Sequence, residues 1–173
     1  ECGIDALVVG AGLPLDLPKY LSGGCRTKLA TIVSSGRAAT ILCKRWLDRY
    51  GHAPDAVVVE GPLAGGHLGF KPEEIGDPTR ALELLIPEVV AAVKPFEERS
   101  GKTIPVVAAG GIYTGADILK FERLGASGVQ MATRFVTTRE CDASEAFKQS
   151  YITARQEDIC IIKSPVGLPG RAI

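Results

Sequence analysis

The sequence lacks the marks of several common classes of protein. Its cysteines are odd in number, widely spread and without a C-x-x-C pair: Cys2, Cys25, Cys43, Cys141 and Cys160. This pattern argues against a disulfide framework and a zinc site, so no metal is expected and reduced thiols in the cytoplasm are the default. No apolar run is long enough to cross a membrane, and residues 1–5 show no charged-then-apolar signal layout.

An excess of charge of either sign is also missing. Lys and Arg together number 20, as do Asp and Glu, so the net charge is zero. This balance gives no reason to expect binding to nucleic acid or to an anionic membrane. It leaves self-association unopposed by charge, which allows a homo-oligomer. With 46% hydrophobic residues in 173 positions, the chain can form one domain with a real core.

What the chain does contain is a regular alternation of strands and helices. Five short, continuous apolar runs predict buried parallel strands, at residues 4–9, 29–33, 56–60, 104–109 and 128–132. Helical spacing and capping residues predict helices at 37–50, from Asp77 towards Pro87, and at 88–100, 116–124 and 144–154. Residues 159–173 are predicted to be an extended tail.

This alternation is typical of a parallel α/β fold. A closed (β/α)8 barrel needs eight units and about 250 residues, whereas five units are found here. The chain is therefore predicted to be one domain, residues 1–173, that is either an open doubly wound sheet or the C-terminal part of a barrel. The lack of an initiator Met, and a strand that begins almost at once, favour a piece of a longer chain.

A glycine-rich loop follows the third predicted strand. It begins after Glu60, contains glycines at positions 61, 65, 66 and 69, and carries His67, one of only two histidines. Glycines let a backbone turn sharply and approach a ligand, and an imidazole can take up and release a proton near neutral pH. His67 is thus a candidate for proton transfer, with a plain glycine turn as the alternative. Glu60 could be a buried acid, a cation ligand or a group that orients nearby backbone.

Two further turns are candidates for binding phosphate. Gly110 and Gly111 follow the fourth strand, and Ala132, Thr133 and Arg134 follow the fifth. Bare backbone N–H groups, a hydroxyl and a cation suit an anion, and many barrels bind phosphate after their last two strands. The alternative is two ordinary helix starts. Neither turn is a Walker loop or a G-x-G-x-x-G fingerprint, which disfavours a nucleoside triphosphate or a Rossmann NAD site.

Other polar residues carry weaker signals. His52 is predicted to be a solvated loop residue at the opposite end of the sheet from the glycine loops. Trp46 lies on the apolar face of its helix and is predicted to be core. Ser34 and Ser35 could bind a ligand or cap the helix that follows them.

Three motifs together resemble the nitronate monooxygenase (2-nitropropane dioxygenase-like) family, which has the flavin-dependent enoyl-acyl-carrier-protein reductases as close relatives. They are EGPLAGGHLG at 60–69, AAGGI at 108–112 and QMATRF at 130–135. They occur in the family's order and spacing over nearly the whole chain. The segment at 163–171 also resembles the one that follows the barrel in this group.

The resemblance implies a TIM barrel that holds FMN without a covalent bond. The FMN phosphate would lie on Gly110 and Gly111 and on Ala132 and Thr133. Members usually have Gly-Thr at the last pair, so Ala132 is a departure. Gly65 and Gly66 would pass near the isoalloxazine ring. His67 would be the active-site histidine.

The implied reaction is oxidation of an alkyl nitronate by O2 through the flavin. The alternative is reduction of an enoyl thioester by NAD(P)H, in which His67 would help to place the thioester or the nicotinamide. A third reading is a phosphate-binding barrel fragment without catalysis. Other phosphate-binding barrels, such as IMP-type dehydrogenases or phospho-sugar isomerases, fit the two turns but give no reason for the Ala-Gly-Gly-His loop.

Overall fold

A parallel sheet of five strands forms the centre of the protein. The computed structural model describes residues 3–165 and 167–173. Glu1, Cys2 and Val166, which belong to the predicted chain start, the cysteine set and the tail motif, lie outside the described residues. The sheet strands are β1 (Ala6–Val9), β2 (Lys28–Val33), β3 (Ala56–Glu60), β5 (Val106–Ala109) and β6 (Gly128–Gln130). All five predicted strands are therefore found.

The order of these strands across the sheet follows their order along the chain. The sheet runs β1-β2-β3-β5-β6, and every neighbouring pair is parallel. A doubly wound sheet reverses direction at a switch point, whereas a barrel adds each strand beside the previous one. The sequential order selects the barrel alternative, and it places the five strand ends side by side along one edge.

Helices connect most of these strands, with bounds close to those predicted. They are α1 (Gly36–Tyr50), α2 (Leu82–Ser100), α3 (Gly115–Arg123), α4 (Thr133–Val136) and α5 (Glu145–Thr153). A single 3-10 turn, Leu17–Tyr20, stands between β1 and β2. Helix α1 begins where the Ser35 hydroxyl accepts from the N–H of Ala38 and ends at Gly51, which has a φ of 61°. Left-handed glycine is a frequent helix end.

The predicted break near Pro87 is wrong. Asp77 accepts from the N–H of Thr79, but this bond caps only the 3-10 turn Pro78–Arg80. Helix α2 then runs without interruption from Leu82 to Ser100, through Pro87 and Pro95. Proline inside a helix costs about 3 kcal/mol, because it removes one hydrogen bond and crowds the preceding turn.

Burial on the other face of α2 explains why the helix continues. Both prolines are exposed, so the carbonyl groups that they leave unpaired can be hydrated. The opposite face buries five apolar side chains against the sheet: Leu82, Leu85, Ile86, Val89 and Val93. Burying such side chains stabilises by roughly 1.5–3 kcal/mol each, which outweighs the cost of two prolines.

The C-terminal tail is more structured than predicted. Strands β7 (Cys160–Lys163) and β8 (Pro169–Ala172) form an antiparallel hairpin. Strand β8 also pairs with β4 (Gly66–His67), so a second sheet of three strands runs in the order β4-β8-β7. Strand β8 thus lies directly against the glycine-rich loop.

Trp46 is fully buried, as predicted, and its indole N–H donates to the Pro14 carbonyl at 3.0 Å. His52 lies in the predicted loop between α1 and β3, at the predicted end of the sheet, but the prediction that it is solvated is wrong. Its ring packs against Trp46 with 5.9 Å between ring centroids, and its side chain is only 23% exposed. Nε2 lies 3.7 Å from a carboxylate oxygen of Asp55.

No helix in the described part of the chain is long and apolar enough to span a membrane.

The burial of His52 predicts a pH dependence of stability. Desolvation lowers the pKa of His52, and the nearby Asp55 carboxylate only partly opposes this effect. The unfolded chain then binds more protons below about pH 6.5, so the free energy of unfolding should fall as the pH drops from 7 to 5. His52→Gln should flatten this slope in urea unfolding at several pH values.

The titration of Asp55 does not interfere with the measurement on His52. Burial acts to raise its pKa, but hydrogen bonds from Leu29 and Lys28 outweigh burial and lower it overall. Its contribution is therefore lost only below about pH 4. An unchanged slope in His52→Gln between pH 7 and 5 would show that His52 is not the group that titrates.

Candidate functional site

The carboxyl ends of β1, β2 and β3 border a cleft of about 730 Å³. Its walls come from the residues after β1, from the end of β2 and from the glycine-rich loop. The lining includes Gly12, Val33, Ser34, Glu60, His67, Leu68, Phe70 and Leu168. Ligands of parallel α/β proteins collect at this edge of the sheet, and the volume is in the usual range for a small-molecule site.

His67 lies in the wall of this cleft, on the short strand β4. The register pairs His67 with Gly170 and Gly66 with Arg171. The loop continues into Leu68, whose N–H donates to the Pro169 carbonyl at 2.8 Å. The side chain of His67 is exposed to the cleft while its backbone is held in a sheet.

Glu60 borders the same cleft from the end of β3. It is half-buried, and burial raises the pKa of its carboxyl group. Within residues 3–165 and 167–173 its carboxylate accepts no hydrogen bond and forms no salt bridge. Of the three readings weighed for Glu60, these surroundings fit a buried acid, because nothing nearby compensates the charge.

Glu60→Gln should therefore stabilise the protein at neutral pH. Because the pKa of Glu60 is raised on folding, its ionisation costs stability once the pH rises above about 4.3. We expect the melting temperature of the variant to exceed that of the wild type by roughly 1–4 °C at pH 7. The difference should disappear near pH 4. Calorimetry at both values tests this, and an equal gain at both would rule out ionisation as the cause.

Gly110 and Gly111 follow β5 in a conformation that other residues rarely adopt. Their φ angles are 97° and 74°. A Cβ on Gly110 would lie 2.9 Å from the backbone nitrogen of Ala64, and a Cβ on Gly111 would lie 3.0 Å from the Leu63 side chain. In the described part of the chain, the N–H groups of these two glycines donate no hydrogen bond. The turn therefore offers two backbone donors.

Ala132 and Thr133 follow the neighbouring strand. The register pairs Ala109 with Gln130, so the two turns leave adjacent strands at the same edge. Thr133 begins the short helix α4, and Ala132 supplies no side-chain cap. Beyond these turns the Arg134 guanidinium lies 5.0 Å from the centre of the Tyr113 ring. That contact is a cation–π pair between the residues that follow the two turns.

The two candidate regions do not share one cleft. The cleft beside His67 is not lined by Gly65, Gly66, Gly110, Gly111, Ala132 or Thr133. A second cleft of about 180 Å³ lies against Gly110 and Gly111, and its charged lining residues are Asp77, Glu83, Asp117 and Lys120. Lys120 pairs with Glu83, so this side of the glycine turn carries charges of both signs.

Ser34 and Ser35 follow β2, and one of them caps the next helix. The Ser35 hydroxyl caps α1, and the N–H of Gly36 donates to the Glu88 carboxylate at 2.8 Å. Both Ser34 and Ser35 border the cleft. A Cβ on Gly69 would collide with the Ser34 hydroxyl oxygen, so glycine at 69 allows the loop to lie against β2.

The contact of Arg171 with the glycine-rich loop is a feature that sequence reasoning missed. Its guanidinium Nη2 donates to the carbonyl of Pro62 at 2.9 Å, across 109 positions of the chain. No local motif marks this contact, because it depends on the pairing of β8 with β4. The only available signal was the lone cation in the otherwise neutral segment 164–173.

Comparisons with known proteins agree with the resemblance drawn from the three motifs. A model of the nitronate monooxygenase family matches residues 4–173. A probable nitronate monooxygenase of Staphylococcus aureus (strain Newman) is 38% identical over 121 residues, which is 69% of this chain and 31% of that protein. The chain thus spans about a third of the length of the curated relatives it matches.

Solved structures give the same result. FabK from Thermotoga maritima has a TM-score of 0.71 and 31% identity, covering 97% of this chain and 46% of that one. Nitroalkane oxidase from Streptomyces ansochromogenes has a TM-score of 0.70 and 28% identity, covering 95% and 44%. With the sequential strand order, these similarities confirm that the chain holds part of a TIM barrel. The chain belongs to the nitronate monooxygenase family.

Proposed function

We propose that this chain is the C-terminal part of an FMN-binding TIM barrel that oxidises alkyl nitronates with O2. Family membership supports a flavin-dependent oxidoreductase. The observation that carries the proposal is His67, held on β4 at the wall of a 730 Å³ cleft above the strand ends. The hairpin of residues 159–173 would then be part of the active site rather than a separate tail.

The residues after β5 and β6 fit the phosphate of FMN. The positive φ angles of Gly110 and Gly111 leave two N–H groups without a partner among the described residues. Ala132 and Thr133 begin a helix at the next strand with no side-chain cap. We propose that these four residues hold the phosphate and that Gly65 and Gly66 pass near the ring. Bound FMN supplies the redox chemistry of the reaction.

His67 can contribute in two ways. As a neutral imidazole it can accept the α-proton of a nitroalkane, and as an imidazolium it can bind the oxygen atoms of a nitronate. Its exposed side chain can reach a substrate in the cleft without rearrangement of the backbone. Val33, Leu68 and Phe70 give the cleft an apolar wall, and Arg37 and Arg80 also line it and suit an anionic substrate.

Reduction of an enoyl thioester by NAD(P)H is the second candidate. Two observations favour it. The fold is similar to that of FabK, and the three motifs resemble a family that has the flavin-dependent enoyl-acyl-carrier-protein reductases as close relatives. In that case His67 would place the thioester or the nicotinamide. A cytoplasmic location and a homo-oligomer, both expected from composition, remain predictions.

Two assays on the full-length protein separate these candidates. The first measures O2 consumption with propyl-2-nitronate. The second measures anaerobic loss of flavin colour on addition of NADH or NADPH, followed by turnover of an enoyl thioester. We expect turnover in the first assay and slow or no reduction in the second. Fast reduction with thioester turnover would assign the reductase function instead.

A further inference from the structure

Arg171 ties the C-terminal hairpin to the base of the glycine-rich loop. It is half-buried, and its Nη2 donates to the carbonyl of the buried Pro62 at 2.9 Å. Its Nε is also buried and has no partner in the described part of the chain.

The same hairpin holds the loop at two further points. Strand β8 pairs with β4 at Gly66 and His67. Just after β4, the N–H of Leu68 donates to the Pro169 carbonyl at 2.8 Å, and the Leu68 side chain is buried. The backbone of His67 is therefore fixed on one side by the ladder and on the other by Leu68.

The loop needs such external contacts because of its own composition. Glycines at positions 61, 65, 66 and 69 give the backbone wide freedom, which works against holding a side chain in one place. Pro62 is the point where the loop leaves β3, and Arg171 contacts it there. One arginine thus joins the start of the loop to the strand that pairs with His67.

We infer that Arg171 is a positioning residue for His67, so that the C-terminal hairpin forms part of the active site. The inference rests on the proposed function for its effect on turnover, and on the hydrogen bonds of β8 for its effect on the loop. Arg171 acts through the backbone of residues 62–68. A guanidinium of fixed shape suits this role better than the more flexible ammonium of lysine.

The test uses the full-length flavoprotein with Arg171→Ala, Arg171→Lys, His67→Ala and the double variant. Displacement of a catalytic group by about 1 Å can cost up to 10²-fold in rate, so Arg171→Ala should lower kcat for a nitronate by roughly tenfold or more. KM and FMN content should change little. Arg171→Lys should be intermediate. In the His67→Ala background, Arg171→Ala should have no further effect on kcat.

Hydrogen exchange gives a readout that does not depend on turnover. The amides of residues 63–68 should exchange faster in Arg171→Ala and Arg171→Lys, while those of α3 should be unchanged. Arg155→Ala is the matched control. The Arg155 side chain is 79% exposed, and its ion pair with Glu157 is long, at 3.9 Å. This variant should leave kcat and exchange as in the wild type.

Several results would overturn the inference. They are a wild-type kcat in Arg171→Ala, unchanged amide exchange in residues 63–68, or an equal loss of kcat from Arg171→Ala with and without His67. If Arg171→Ala does not fold, Arg171→Lys decides the matter by the same measures. If the wild-type protein binds no flavin and oxidises no nitronate, the proposed function fails, and exchange alone decides whether Arg171 orders the loop.

Discussion

His67→Ala should lower kcat for nitroalkane oxidation by about 10²–10⁴-fold, the usual contribution of a general acid or base. FMN content and melting temperature should stay close to wild type, because His67 is exposed and its removal leaves no cavity in the core. The loss should be smaller when a preformed nitronate replaces the nitroalkane, since that substrate has already lost its α-proton. Steady-state O2 consumption with both substrates measures the two effects.

His52→Gln is the matched control, since the chain contains only two histidines. His52 lies beside Trp46 and Asp55 at the opposite end of the sheet, so this variant should keep wild-type kcat on both substrates. A His67→Ala enzyme that retains full turnover would remove His67 from the mechanism. An equal loss on both substrates would favour nitronate binding over proton removal.

Gly110→Ala should weaken FMN binding by roughly tenfold or more. A non-glycine residue at a φ of 97° costs about 1–3 kcal/mol, and its Cβ would lie 2.9 Å from the nitrogen of Ala64. The turn has to shift to relieve this contact, and each 1.4 kcal/mol lost from binding is a factor of ten. Titration of the apoprotein with FMN, followed by fluorescence quenching, measures the affinity.

Alanine variants of two nearby glycines provide controls for the effect of Gly110→Ala on FMN affinity. Gly111→Ala should have a smaller effect than Gly110→Ala, because its Cβ would meet only the Leu63 side chain, which can move. Gly115→Ala should bind FMN as the wild type does, because Gly115 begins α3 and no atom lies within 4 Å of an added Cβ. Equal affinity in all three variants would show that the glycine turn does not hold the phosphate.

Much of the fold could be predicted from the sequence because local signals agree with it. The strands are continuous apolar runs, and Ser35, Gly51 and Gly101 mark helix ends through short-range hydrogen bonds and left-handed φ angles. The prediction of a break at Pro87 was wrong because burial across the whole of α2 outweighs two local penalties. Such a competition between local and long-range terms cannot be read from a short stretch of sequence.

The candidate site was predictable only in part. His67 and the Gly110–Gly111 turn belong to local motifs, and the structure brings their strands to one edge. The pairing of β8 with β4 and the contact between Arg171 and Pro62 join residues more than 100 positions apart. The solvation of His52 was wrongly predicted for a similar reason, because its partial burial depends on Trp46 in the preceding helix and Asp55 next to the following strand.

The visible absorption spectrum of the purified full-length protein, recorded before and after anaerobic addition of propyl-2-nitronate, tests the central proposal most directly. We predict a yellow protein whose extracted cofactor is FMN, at about one per chain. The flavin bands should bleach on addition of the nitronate and return when O2 is admitted. A colourless protein that does not take up added FMN, or a flavin that the nitronate leaves oxidised, would contradict the proposal.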